Sequence, residues 1–391
     1  MTVASIGVAA PFAPETTAEP FISIVMPCLN EEETVGVCVA KAKAWLERSG
    51  RQGEVLVVDN GSTDRSVELA EAAGARVIHE RRRGYGEACL RGFSEAKGEW
   101  IVMGDSDDTY DFSDLTAVVE PLRRGVDMVI GNRFTGGIAK GAMPWSHRYI
   151  GSPIINLVIR LFFGTQIGDS QSGLRAFRKE VPQELNLRSG GMELASEMIV
   201  RAARAGLNIA EVPAPYNVRG GESKLNTVRD GWRHIRYLLV AAPDFLFVLP
   251  GLATTLLGIA AFALSFAAPQ GIGIGSLSWH PIFIGSILLA VGVNSMLLGI
   301  IAKTHACARG LIRPDAWLML YRRYFRLEHL LALSVVLVLG GLAIDVALFG
   351  IWASNGTVAK GLELAALAQS LLIVGAELGM TSFLVVAVDS E

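Results

Sequence analysis

Asp105, Asp107 and Asp108 fall in the segment GDSDDTYD, directly after the apolar run WIVM. Carboxylates this close repel one another. A divalent cation with oxygen ligands, typically Mg²⁺ or Mn²⁺ shared with a diphosphate, is the chemistry that most simply holds them together. A solvated acidic loop is the competing reading of the same spacing. Two further acidic segments lie upstream. In MPCLNEEE, Glu31 to Glu33 open a helix, whose N-terminal dipole favours acids. In VVDNGSTD, Gly61 permits a tight turn, and Ser62, Thr63 or Asp64 can cap the next helix. Taken singly, these two read as helix-start and turn chemistry.

All three segments end a short β-branched run. From Phe21 onward, FISIVMP, EVLVVD, ARVIHE and EWIVMGD alternate with amphipathic stretches that begin near Glu32, after Asp64 and near Tyr85. That alternation predicts an α/β domain built on a parallel sheet. Ligands of such sheets collect beyond the carboxyl ends of the strands, where these acids lie.

The rest of the chain has a different solvent. Its 391 residues are 51% hydrophobic, and the mean hydropathy of +0.39 is too apolar for an ordinary soluble protein. Most charged residues precede Asp244. Beyond it, windows at about 246–267, 281–302, 329–352 and 364–388 are each long enough to cross ~30 Å of hydrocarbon as a helix. The connector 303–328 carries Lys303, Arg309, Arg313, Arg322, Arg323 and Arg326 against Asp315 and Glu328, whereas 268–280 has no Lys or Arg. The positive-inside rule places that connector, the N-terminal domain and both termini in the cytoplasm, giving a multi-pass cell-membrane protein. The segments 225–242 and 317–326 mix aromatics with arginine, as headgroup-level helices do, and a solvated basic face is the alternative. Asp345 and Glu377 fall inside expected spans, so packing, a homo-oligomer contact and a functional role all stay open for them. Residues 1–20 lack a basic n-region and are broken by Pro11 and Pro14; they are expected as a disordered lead-in rather than a signal. Cys28, Cys38, Cys89 and Cys307 have neither zinc-site spacing nor disulfide density.

Several ordered motifs together carry a resemblance. The Asp59 turn is followed by Asp-x-Asp at a strand end, then RGYGEA (83–88), GNRF (131–134), DSQSGLRAFRKE (169–180), GMELASEM (191–198) and RGGESKLNTVRDGWRHIRYL (219–238). Over about residues 21–240 the chain resembles glycosyltransferase family 2, in particular the polyprenyl-phosphate glycosyltransferases related to dolichol-phosphate-mannose synthase. The resemblance implies an A-type, Rossmann-like glycosyltransferase domain over 21–224; the composition beyond it gives an interfacial helix over 225–245 and a transmembrane domain over 246–391, which agree with the family only in architecture. It further implies that Pro27, Asn30, Glu31, Asp59 and Asp105 bind a GDP- or UDP-linked sugar, and that Asp105 and Asp107 hold Mg²⁺ or Mn²⁺. The family often has Gln two residues after the second Asp; here that position is Thr109.

The acceptor implied is a polyprenyl phosphate, already anionic, which needs cations more than deprotonation. Arg133, Arg175, Arg219 and Lys224 are the candidates, because guanidinium groups chelate phosphate and ammonium supplies a point charge. Asp169, with Glu197 behind it, is the candidate to orient the acceptor or serve as base, grouped with Arg133 and Arg175 as catalytic. Direct displacement would invert the anomeric centre, with mannose or glucose as the sugar. A processive polysaccharide synthase would carry Gln-x-x-Arg-Trp beside the membrane, and RDGWRHIR lacks it. A lipid-linked-sugar translocator or scaffold is the non-enzymatic alternative, motivated by Asp345 and Glu377. The basic groups sit in membrane-edge and phosphate motifs rather than on one broad face, so no nucleic-acid partner is expected.

Overall fold

Near-continuous apolar strands form where helices cover both faces of a sheet. The computed structural model describes residues 20–221, 227–268 and, with short breaks, 271–389. Thus all but the last residue of the lead-in, and also Lys224, lie outside the described residues. The chain divides into two compact units, Met1–Leu238 and Leu239–Glu391.

The first unit alternates β1 (Ile22–Cys28), α1 (Val35–Arg48), β2 (Gly53–Asp59), α2 (Ser66–Ala72), β3 (Arg76–His79), α3 (Tyr85–Glu95) and β4 (Trp100–Met103). Then come α4 (Thr116–Arg123), β5 (Met128–Asn132), the one-turn α5 (Arg133–Gly136) and a π-helical turn (His147–Gly151) running into α6 (Ser152–Phe163). The unit ends with β6 (Arg175–Arg178), α7 (Val181–Glu184), α8 (Leu194–Ala205), β7 (Ile209–Pro213) and most of α9 (Thr227–Ala241). The strand order is β3-β2-β1-β4-β6-β5-β7, with β6 antiparallel to both of its neighbours. Successive residues of β1 point to opposite faces. Ile22, Ile24 and Met26 join the core formed with α1 and α4, while Val25 joins the layer formed with α3 and α8.

The chain runs outward from β1 through β2 to β3, then returns to place β4 on the other side of β1. Strand order reverses there, and in such sheets the ligand crevice lies beyond the carboxyl ends of the strands, here those of β1 and β4.

The second unit begins with a π-helical turn (Asp244–Val248) and α10 (Leu249–Ala267), then a small hairpin of β8 (Ile272–Ile274) and β9 (Leu277–Trp279). It continues through α11 (Pro281–Ala308), α12 (Ala316–Tyr324), α13 (Leu327–Asn355) and α14 (Gly361–Asp389). Among the described residues four helices are long and apolar enough to cross a membrane: Asp244–Ala267, Pro281–Ala308, Leu327–Asn355 and Gly361–Val388. Apolar side chains face outward, with Val346 and Met380 among the most exposed. Small residues let α10 and α11 approach closely, since a Cβ on Gly251 would stand 2.8 Å from the Gly292 carbonyl. Asp345 accepts a hydrogen bond from Gln369 and Glu377 one from Asn294, each at 3.1 Å. Lys303 is not the free basic charge that the connector suggested. It is buried, pairs with Asp244 at 2.6 Å and with Asp315, and lies 4.2 Å from the ring centre of Trp317.

Candidate active site

Three loops meet at the crevice. After β1, Asn30 adopts a positive φ of 53°, and its side-chain oxygen accepts from the Thr63 N–H at 2.7 Å. Ser62 Oγ in turn accepts from the Asn30 N–H at 2.9 Å, so the first and second strand-end loops are laced together. Pro27, just before, offers its carbonyl to the Ser106 hydroxyl at 2.8 Å and so ties β1 to the β4 loop. Asp59 accepts from Ser62 N–H at 2.8 Å and Gly61 N–H at 3.2 Å, and lies 3.1 Å from His79 Nδ1. Gly61 has φ 86°, the left-handed conformation this turn requires. Burial pushes the Asp59 carboxyl up, but the bonds from Ser62, His79 and Gly61 outweigh it and hold the group below the usual carboxylate range.

The third loop separates the acids that the sequence groups together. Asp108 takes a positive φ of 59° and turns to Lys41, 2.7 Å away, leaving Asp105 and Asp107 as the pair in the crevice. Asp105 accepts from the Tyr85 hydroxyl at 2.9 Å, and Gly173 packs so closely that a Cβ there would overlap its carboxylate. Asp107 accepts from the Thr109 hydroxyl at 2.6 Å and faces Arg219 Nη1 at 3.2 Å. Arg219 also pairs with Glu31, which is buried. Burial and the adjacent Asp107 charge push Asp105 up to about 7. A cation would relieve that repulsion. Among the described residues no set of three or more His, Cys, Asp or Glu side chains is placed to hold a metal. Two carboxylates, with the remaining ligands from diphosphate and water, are the donor set that Mg²⁺ and Mn²⁺ take in phosphate sites, so the residues fit such an ion. Thr109 orients Asp107 instead of adding a third carboxamide ligand.

Beside the crevice lies a cleft of about 570 Å³ lined by Arg133, Arg219, Tyr216, His147 and His234 and by apolar groups such as Ile155. Arg133 enters through the turn after β5. Its Nε and Nη2 clamp Asp169 at 2.7 and 2.8 Å, its own N–H adds a third bond at 3.0 Å, and its guanidinium sits 5.2 Å from the Tyr216 ring centre. Asp169 is fully buried, with both oxygens committed to Arg133. That corrects the expectation of an acceptor-facing base: the carboxylate anchors an arginine.

Arg175 requires a larger correction. It is fully buried, and its Nε, Nη1 and Nη2 donate to the carbonyls of Ser172, Ala195 and Ser170 at 3.0, 2.9 and 2.8 Å. A guanidinium spent on three main-chain oxygens braces the 169–175 loop against α8 and has no fork left for a phosphate. Glu197 is likewise internal, accepting from the Ser189 N–H at 2.7 Å and pairing with Arg201.

Tyr85, Tyr216, His147 and His234 were not singled out in the sequence. Tyr85 lies inside RGYGEA and was legible through that motif. His234 lies inside RGGESKLNTVRDGWRHIRYL and was legible in the same way, whereas His147 had no local signal, because the cleft joins segments far apart in the chain. The face of α6 was missed too. Trp145, Tyr149, Ile154, Leu157 and Leu161 are exposed on one side of the segment while Ile155 and Ile159 are buried on the other. On α9, Trp232 and Ile235 are exposed while Asp230 and His234 are buried.

Residues 23–185 match the family model for glycosyl transferase family 2, and residues 300–389 match that for the glycosyltransferase family 2 C-terminal transmembrane region. The low-salt glycan biosynthesis hexosyltransferase Agl6 of Haloferax volcanii is 36% identical over 369 residues, covering 93% of this chain and 88% of that protein. The chain belongs to glycosyltransferase family 2. It is a multi-pass membrane glycosyltransferase with an A-type catalytic domain. The dolichyl-phosphate hexose transferase of the same organism is 34% identical over 210 residues, 54% of this chain and 89% of that one. Among solved structures, glucosyl-3-phosphoglycerate synthase from Mycobacterium tuberculosis in complex with Mn²⁺ and UDP-glucose is 25% identical. It covers 57% of this chain and 79% of its own, with a TM-score of 0.46.

Proposed function

We propose that this glycosyltransferase moves a single hexose, mannose or glucose, from a GDP- or UDP-linked donor to a polyprenyl phosphate, with inversion. One observation carries the reading: an acidic strand-end crevice opens directly beside a cleft that combines Arg133 and Arg219 with an apolar wall. Such a cleft suits a ligand with an anionic head and a hydrocarbon body. The relationship to a dolichyl-phosphate hexose transferase supports the same acceptor. So does the distribution of exposed apolar side chains in the first unit, concentrated on the 145–161 segment and α9, as on helices that lie in a membrane interface. The basic connector, read by the positive-inside rule, supports a cytoplasmic location for the catalytic unit and both termini.

In this reading Pro27, Asn30, Glu31 and Asp59 form the base and ribose end of the donor site. Asp105 and Asp107 would hold Mg²⁺ or Mn²⁺, which supplies positive charge to the departing nucleoside diphosphate. Tyr85 and Thr109 fix those two carboxylates before substrate arrives. Arg133, itself held by Asp169, meets the acceptor phosphate with a preset guanidinium. The phosphate oxygen attacks the anomeric carbon as the diphosphate leaves, turning an α-linked donor into a β-linked lipid product. The nucleophile is already ionised, so no base is needed, consistent with the burial of Asp169.

Detergent-purified protein with Mg²⁺ or Mn²⁺, undecaprenyl or dolichyl phosphate and a panel of GDP- and UDP-sugars tests this. Lipid-phosphate-dependent release of nucleoside diphosphate, with one sugar per lipid and a β linkage, is expected. Polymer would support a processive synthase, and nucleotide binding without release would support a translocator or scaffold.

A further inference from the structure

We propose that Arg219 is a latch closed on Asp107 in the ligand-free protein, released by cation and donor and then redeployed to the acceptor phosphate. It is thus a positioning residue that makes acceptor capture depend on donor binding. The inference rests on the reading of Asp107 as a cation ligand.

The guanidinium bridges two carboxylates from different strand ends, with Nη1 3.2 Å from Asp107 Oδ2 and Nη2 on Glu31. Its Nε is buried and, among the described residues, bonds to nothing. Only the two charges therefore hold the head group in place. The backbone beneath it is pinned: Asn217 N–H donates to the Thr109 carbonyl at 2.9 Å and Gly220 N–H to the Asp107 carbonyl at 3.1 Å. Gly220 presses against Thr34, with no room for a Cβ. The anchored main chain leaves motion to the side chain, which already lines the cleft beside Arg133 and Tyr216.

A dication on Asp107 Oδ2, the oxygen that Arg219 Nη1 now faces, would stand close to the guanidinium, and like charges at that separation repel strongly. Binding of the ion at that oxygen would drive Nη1 away, and the adjoining cleft is where a freed fork would meet a phosphate it can chelate. Before donor binds, the latch screens the paired acids and keeps one phosphate-binding cation out of service. The acceptor site is then complete only after the donor is in place.

The test is Mn²⁺ binding to the detergent-purified full chain without nucleotide, read by electron paramagnetic resonance of the free ion. Arg219→Gln should bind Mn²⁺ at least about tenfold more tightly than the unaltered protein. Arg219→Lys, which keeps the charge but cannot span both carboxylates, should fall between the two. Asp107→Asn should lose the site in either background. In a second arm, a short-chain polyprenyl phosphate should bind the unaltered protein more tightly once Mn²⁺ and UDP or GDP are present, and Arg219→Gln should show no such gain. Unchanged or weaker Mn²⁺ binding in Arg219→Gln, with the Asp107 control behaving, would overturn the latch and leave the donor site standing. If the unaltered protein binds no Mn²⁺ even with nucleoside diphosphate, the latch and the metal assignment both fall.

Discussion

Asp169→Asn removes one charge from a fully buried carboxylate while keeping its shape. In the native protein Arg133 Nε and Nη2 approach it at 2.7 and 2.8 Å and the Arg133 N–H at 3.0 Å. An asparagine can accept from only one side, and its amide hydrogens then face a guanidinium hydrogen. Arg133 would keep its charge, buried against Tyr216, with no counter-ion on that edge. Breaking one partner of a buried pair costs about 3–5 kcal/mol. In a domain of this size about 1 kcal/mol shifts the unfolding midpoint by roughly 2–4 °C, so the midpoint should fall by roughly 6–20 °C. A thiol-reactive dye can read it, because Cys28, Cys38 and Cys89 are buried in the catalytic unit. Cys307→Ser would silence the half-buried thiol of the second unit. Well below the midpoint, the variant should retain transfer with a raised KM for lipid phosphate, reflecting a loosened Arg133. An unchanged midpoint with transfer reduced by about 10²–10⁴, the loss typical of a missing general base, would refute the anchor role and restore Asp169 as the base.

Asp107→Asn should abolish Mn²⁺ binding and lower transfer by orders of magnitude, and full activity in excess chelator would contradict the metal assignment. Arg175→Met strips the donors from three main-chain carbonyls, those of Ser170 and Ser172 in buried residues, at a cost of about 1–3 kcal/mol for each left unpaired, so it should destabilise the catalytic unit without selectively raising KM for lipid phosphate. Burial, with the Arg175 charge, pushes His234 down to about 4 against the pull of Asp230. The unfolded chain therefore binds more protons between its ordinary value near 6.5 and 4, and up to about 3 kcal/mol of stability should be lost as pH falls through that window. Urea midpoints measured from pH 7 to 4 would show it, and His234→Gln should flatten the decline.

Strands, strand-end acids and spans were legible in the sequence because each depends on local composition and a short period. β1 and β4 announce themselves as apolar runs. Asp59, Asp105 and Asp107 sit at or just beyond the ends of such runs, and a parallel sheet gathers its strand-end loops along one edge. The four spans need only length and hydropathy. The assignment of charges among partners was decided by tertiary structure. Nothing in DSQSGLRAFRKE distinguishes an arginine that binds phosphate from Arg175, which donates to three carbonyls of its own and a neighbouring segment. Asp107 and Asp108 are adjacent in sequence, yet one left-handed residue sends them to opposite partners. Arg219 reaches Asp107 and Glu31 only because the loop after β7 folds over the β1 and β4 ends. SPIINLVIRLFF has the composition of a core helix, and only the packed chain shows which face of it the protein leaves bare. Local sequence sets which elements form and where they end. Burial and ion pairing belong to contacts between distant segments, and those exist only once the sheet has brought its loops together.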